Sequence, residues 1–99
     1  MDGRVQRRVR RLDLNKALGR RLASLRKEQG KRQIDVSAEL GVQRPLVSKI
    51  ENGHRFLSAF EIPDYARALG IAPEELLYSI VDVVQEYDGK LPEERESQE

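Results

Sequence analysis

The chain has 99 residues, enough for one domain and one hydrophobic core, and is 35% charged and 38% hydrophobic. It has no cysteine and a single histidine, His54, which excludes a disulfide framework, a zinc finger and thiol chemistry. No apolar run approaches the roughly 20 residues of a membrane span, and the basic N-terminus lacks the apolar stretch of a secretory signal, so a soluble cytoplasmic protein is expected. The net charge of +1 conceals an uneven distribution. Residues 1–32 hold 12 Lys+Arg against 3 Asp+Glu, residues 33–70 hold 4 against 5, and residues 71–99 hold 2 against 9. A basic front suits a protein that meets a polyanion with one side. The acidic back reads as solvated surface.

Residues 1–12 carry Arg4, Arg7, Arg8, Arg10 and Arg11 with few apolar anchors, and are predicted to form a flexible basic arm. A first helix is expected from Asp13, a good N-cap, with Leu14, Leu18, Leu22 and Leu25 as its apolar stripe and Gly30 as its terminator. A second helix is predicted over Gln33–Leu40, ended by Gly41, and a third over Arg44–Asn52, ended by Gly53. Pro45 fits the first turn, where backbone N–H groups lack intrahelical partners. Ser58 and Glu61 form a capping box for a fourth helix that stops before Gly70. Pro63 then requires either a late start near Ile62 or a bend. Pro73 opens a fifth helix with Glu74 and Glu75 at its positive end. Its apolar face, Leu76, Leu77, Ile80, Val81, Val84 and Tyr87, is broad, and Asp88–Pro92 stops it. Residues 89–99 read as an acidic disordered tail. Every convincing element is helical, so the predicted class is all-α, with one domain over residues 13–88.

The informative segment is QIDVSAELGVQRPLVSKIENG, residues 33–53. Two short helices flank a tight turn at Gly41-Val42, where glycine permits a positive φ. Ser37 is small where the helices must approach, and Val42, Val47 and Ile50 lock the second helix against the first. Gln43, Arg44, Pro45, Ser48, Lys49 and Asn52 remain outward. That face carries the hydrogen-bond donors needed to read base edges in a major groove.

With LGRRLASLRKEQG (18–30) before it and ENG and YARALGIAPEELL (65–77) after it, the segment resembles the phage-repressor-like helix-turn-helix family, also called lambda-repressor-like or XRE/Cro-type. The resemblance covers about three-fifths of the chain. It implies a five-helix DNA-binding domain with the helix-turn-helix at helices 2 and 3. It implies base contacts from Gln43, Arg44, Pro45, Ser48 and Lys49, with Arg44 and Lys49 suited to guanine O6 and N7. Gln33 and Asn52 match the family's phosphate contacts, Arg55 stands as a further one, and Arg10 and Arg11 of the arm as others. Arg26 and Glu51 match a structural ion pair between helices 1 and 3. Arg32 departs from the family's usual Ser or Thr cap, Ile34 replaces a polar residue, and Pro45 removes a donor at a reading position.

The apolar stripe on the fifth helix exceeds what four short helices cover. Leu77, Ile80, Val81, Val84 and Tyr87 are therefore expected to form a homodimer interface. A two-fold dimer on a near-palindromic operator would set its reading helices about 34 Å apart. The leading function is a transcriptional regulator of nucleoid DNA, a repressor acting by promoter occupancy. The rival is an antitoxin or adaptor that grips a protein partner and uses the motif for autoregulation. No nucleophile–base set, phosphate loop or metal cluster is present in the sequence, so no enzyme activity, cofactor or metal is expected.

Overall fold

Good helix formers dominate between glycine and proline stops, and the chain folds accordingly. Residues 3–95 of this computed structural model form α1 (Gly3–Glu28), α2 (Gln33–Leu40), α3 (Arg44–Glu51), α4 (Ile62–Leu69) and α5 (Pro73–Gly89). A 3₁₀ turn at Ala59–Glu61 precedes α4, another at Pro92–Glu94 follows α5, and no strand occurs among the described residues.

The apolar faces meet in one core. Leu22 of α1, Val36 of α2, Val47 and Ile50 of α3, Tyr65, Ala66 and Leu69 of α4, and Leu76 of α5 are all buried. Full burial of each large aliphatic side chain contributes about 1.5–3 kcal/mol before the entropy of ordering is counted. α2 packs on α3 and α4, while α1 lies against α3 and α5. The pair α2–α3 is thus held between the long first helix and α4.

α1 departs from expectation. It begins at Gly3, ten residues before Asp13, so residues 3–12 continue the helix and do not form a separate arm; residues 1–2 lie outside the described residues. Val5, Val9 and Leu12 recur at helical spacing, on a different face from Leu14, Leu18, Leu22 and Leu25. α5 runs antiparallel to α1 and meets the extension at its Arg10 end. Tyr87 Oη donates to Asp13 Oδ2 at 2.9 Å. Arg10 grips Asp88 through bonds of 3.0–3.2 Å, and Arg21 reaches Asp82 at 3.0 Å and Glu86 at 3.3 Å. Asp13 is therefore a buried mid-helix residue, not a cap. The acids of α5 neutralise arginines of α1 in addition to facing water.

The C-terminal segment also differs from the disordered tail expected from residue 89. Beyond α5, the Arg95 guanidinium stacks over the Tyr87 ring at 4.9 Å and donates to the Asp88 carbonyl at 3.3 Å. Residues 96–99 of the expected tail lie outside the described residues. Pro63 is resolved by a late start. α4 begins at Ile62, which puts Pro63 in its first turn. The Ser58 N–H bonds Glu61 Oε1 at 2.8 Å, so the capping box starts the 3₁₀ turn and not the α-helix.

Candidate nucleic-acid interface

α2 starts without a Ser or Thr cap. The Asp35 carboxylate reaches back instead, accepting the Arg32 backbone N–H at 2.7 Å and its guanidinium at 3.2 Å. Those bonds hold the Asp35 carboxyl below its usual range. Ser37, buried at the crossing with α3, donates its hydroxyl to the Ile34 carbonyl at 2.9 Å. Gly41 closes α2 at φ +69°, and its N–H and that of Val42 bond Ala38 and Ser37 carbonyls at 3.2 and 3.0 Å. This sets the sharp turn into α3.

α3 buries Val47, Ile50 and Glu51 and turns Gln43, Arg44, Pro45 and Lys49 to solvent, with Ser48 half-buried beside them. Asn52 caps its C-terminal end in an exposed position, its amide 3.4 Å from the Ser48 hydroxyl. Arg44 and Lys49 have no ion-pair partner among the described residues. Such uncompensated donors on one face meet the chemical requirement for base edges and phosphates.

The opposite side of α3 is clamped. Arg26 donates to Glu51 at 2.7 and 3.0 Å with both groups buried, and gives a third bond to the Lys31 carbonyl at 2.9 Å. The bond to Glu51 holds the Arg26 guanidinium above its already high range. Gln33 Nε2 also donates to Glu51, at 2.9 Å. Gln33 therefore ties the start of α2 to the end of α3. Gly19 of α1 sits so close to α3 that a Cβ there would lie 2.3 Å from the Glu51 carbonyl oxygen. One turn along, Asn15 Nδ2 donates to the Gly53 carbonyl at 2.7 Å, and Gly53, at φ +79°, abuts Lys16. These contacts fix the tilt of α3 without using any outward side chain.

Three expected phosphate ligands are otherwise engaged or placed. Arg55 is drawn back onto Glu61 at 2.7 Å, bracing the turn after α3. This pair and the Ser58 N–H hold the Glu61 carboxyl down at about 2. Arg10 is committed to Asp88 on the α5 side. Arg11 remains exposed, its guanidinium 5.4 Å over the Phe56 ring. A cleft of 520 Å³ lined by Arg26, Arg32, Gln33, Ile34 and Arg44 opens where α2 and α3 both begin. Arg44 therefore borders the cleft as well as the outward side of α3.

The expected dimer stripe is divided by the fold. Leu77 and Val81 are about half exposed, at 47% and 51%, whereas Ile80 and Val84 are half-buried. Tyr87 is buried against Asp13 of its own chain, which removes it from the candidate interface. Tyr78, 75% exposed and adjacent to Leu77, was not singled out by the apolar periodicity because its neighbours set the stripe. Sequence reasoning also missed Gly19 and Asn15. A glycine inside a strong helical run was the available signal, since it costs about 1 kcal/mol there unless close packing requires it. Asn15 offered none.

Comparison with known proteins agrees with this geometry. A family model described as a helix-turn-helix domain matches residues 17–77. An uncharacterized HTH-type transcriptional regulator, y4dJ, of Sinorhizobium fredii is 33% identical over 67% of this chain and 86% of its own length. An XRE-family like protein from Pseudomonas syringae superposes with a TM-score of 0.62 at 33% identity, over 70% of this chain and 84% of that one. The restriction-modification controller protein C.AhdI from Aeromonas hydrophila gives 0.57 at 38% identity, over 65% and 96%. No helix among the described residues is long and apolar enough to cross a membrane.

Proposed function

Because the chain belongs to the XRE/Cro-type helix-turn-helix family of DNA-binding regulators, we propose that it is a dimeric repressor that reads a near-palindromic operator and acts by occupying a promoter. The observation that carries this reading is the two-sided character of α3. Its inner side is locked to α1 and α2, and its outer side presents Gln43, Arg44, Pro45 and Lys49 to solvent. A reading helix must keep its side chains within hydrogen-bond tolerance of the base edges, so a rigid mount is part of the function. Lys49 and Arg44 act on guanine edges, and Pro45 offers only apolar contact to a thymine methyl. Gln33 and Asn52 bond the backbone and set register.

Dimerisation uses the exposed part of α5, Leu77 and Val81, with Tyr78 beside them. The likeness to a restriction-modification controller and to a transcriptional regulator supports a regulatory role.

The test is selection from a random duplex pool at moderate salt, followed by sequencing. A two-fold symmetric motif with half-sites one helical turn apart is expected. Lys49→Ala should lower discrimination at its contacted base pair by about 1–3 kcal/mol while the fold survives. Recovery of no motif, with salt-sensitive binding only, would overturn the reading in favour of a protein-partner role.

A further inference from the structure

The N-terminal half of α1 is electrostatically strained in the isolated protein. It has no acid in its first turn, where the helix dipole favours one, and it stacks arginines at i,i+3 and i,i+4 spacing: Arg7 with Arg10 and Arg11, Arg8 with Arg11. Arg10 points to α5 and is neutralised by Asp88. Arg7 and Arg8 are exposed and make no ion pair among the described residues. Arg8, Arg11 and Asn15 share one helix face, and Asn15 is bonded to the Gly53 carbonyl just after α3 while Arg11 lies over Phe56. The basic face therefore runs on from the turn that follows the reading helix. Arg8 lies seven residues before Asn15, about 10 Å further along the helix axis. That distance corresponds to about three nucleotides of one strand at 3.4 Å each.

We propose that Arg7, Arg8 and Arg11 form a rigid helical grip on the phosphate backbone of DNA flanking the half-site read by α3. The proposal rests on α3 reading DNA and adds a second, sequence-independent contact outside the operator. Phosphates relieve the repulsion among the arginines, so the helix is built to meet a polyanion and need not fold around it. Arg10 on Asp88, Arg11 over Phe56 and Asn15 on the Gly53 carbonyl anchor the helix, the first two within one turn of Arg7 and Arg8, so the grip keeps a register with α3 that a flexible arm does not.

The experiment uses the full chain and the duplex selected above, in two forms: one with ten base pairs of flank on each side, one trimmed to the motif. Binding is measured across a salt series for wild type, for the double variant Arg7→Gln/Arg8→Gln, and for Arg10→Gln. The double variant removes two arginines from each protomer of the dimer, and should lower the slope of log K against log salt by about 3–4 on the flanked duplex and leave it unchanged on the trimmed one. Its thermal midpoint should equal or slightly exceed that of wild type, because glutamine retains helix propensity and removes like-charge pairs. Arg10→Gln should not change the slope. Equal slopes for wild type and the double variant on flanked DNA overturn the proposal, as does an equal loss on both duplexes. A motif bound with the same salt slope with and without flanks refutes the grip alone, whereas absence of any motif removes the operator reading and the grip together. Binding of wild type to anionic vesicles without any flank effect would assign the arginines to a membrane surface instead.

Discussion

Gly19→Ala isolates the contact that mounts α3 on α1. In an unobstructed helix interior, alanine is more stable than glycine by about 1 kcal/mol. At Gly19 the new Cβ would lie 2.3 Å from the Glu51 carbonyl oxygen, 2.7 Å from its carbon and 2.7 Å from the Ile50 oxygen. All three atoms are backbone, so no side chain can swing aside. α1 and α3 must separate by roughly 0.7 Å or more to reach a tolerable approach, and such overpacking typically costs about 1–3 kcal/mol, toward the upper end where backbone must move. The net expectation is a loss of about 1–2 kcal/mol, or a fall in Tm of about 5–15 °C for a domain of this size. Gly89→Ala supplies the contrast: it is also a helical glycine, and a Cβ there would have nothing within 4 Å. It should be neutral or gain up to about 0.5 kcal/mol, since it lies at a helix end. Thermal unfolding of the two variants beside wild type makes the comparison. A Gly19→Ala Tm at or above wild type would refute the claim that close backbone contact sets the α1–α3 geometry.

Arg26→Ala leaves Glu51 buried with only Gln33 as a side-chain hydrogen-bond partner among the described residues, and should cost about 3–5 kcal/mol in urea unfolding; Arg26→Met with Glu51→Leu should recover most of that loss. Tyr65→Phe should be neutral or stabilise by up to about 1 kcal/mol, because the buried Tyr65 hydroxyl has no hydrogen-bond partner among the described residues, and a clear drop in Tm would contradict this. Glu61 has its carboxyl at about 2 in the fold against an ordinary 4.5, so the unfolded chain takes up its proton first on acidification. Its contribution is complete above pH 4.5 and is lost as pH falls toward 2; with the side chain 36% exposed, screening reduces it to about 1 kcal/mol. Glu61→Gln should therefore be less stable at pH 7 and show a flatter acid limb over that interval, read by chemical unfolding at a series of pH values.

The local signals in the sequence were sufficient for the helices that begin and end at strong stops. Gly41, Pro45, Gly70 and Pro73 act through backbone sterics within a few residues, so the bounds of α2, α3 and α5 and the helix-turn-helix between them were legible before any packing was known. The outward set Gln43, Arg44, Pro45 and Lys49 followed from helical period alone, because Val47 and Ile50 fix which side faces in. Arg26 and Glu51, 25 residues apart, were legible only through family resemblance. Tertiary structure decided what depends on a partner remote in sequence. Around Arg10 and Asp13 the first helix is held by α5, which lies antiparallel to it, 74–78 residues away, with Asp88 and Tyr87 meeting those two residues. The same docking turns Tyr87 from an expected interface residue into core. Packing of the whole chain also commits Arg55 to Glu61 and leaves Arg7, Arg8 and Arg11 facing outward. Period and propensity report which face of a helix is apolar, but they carry no information on which element covers it. That choice is made only when the whole chain packs.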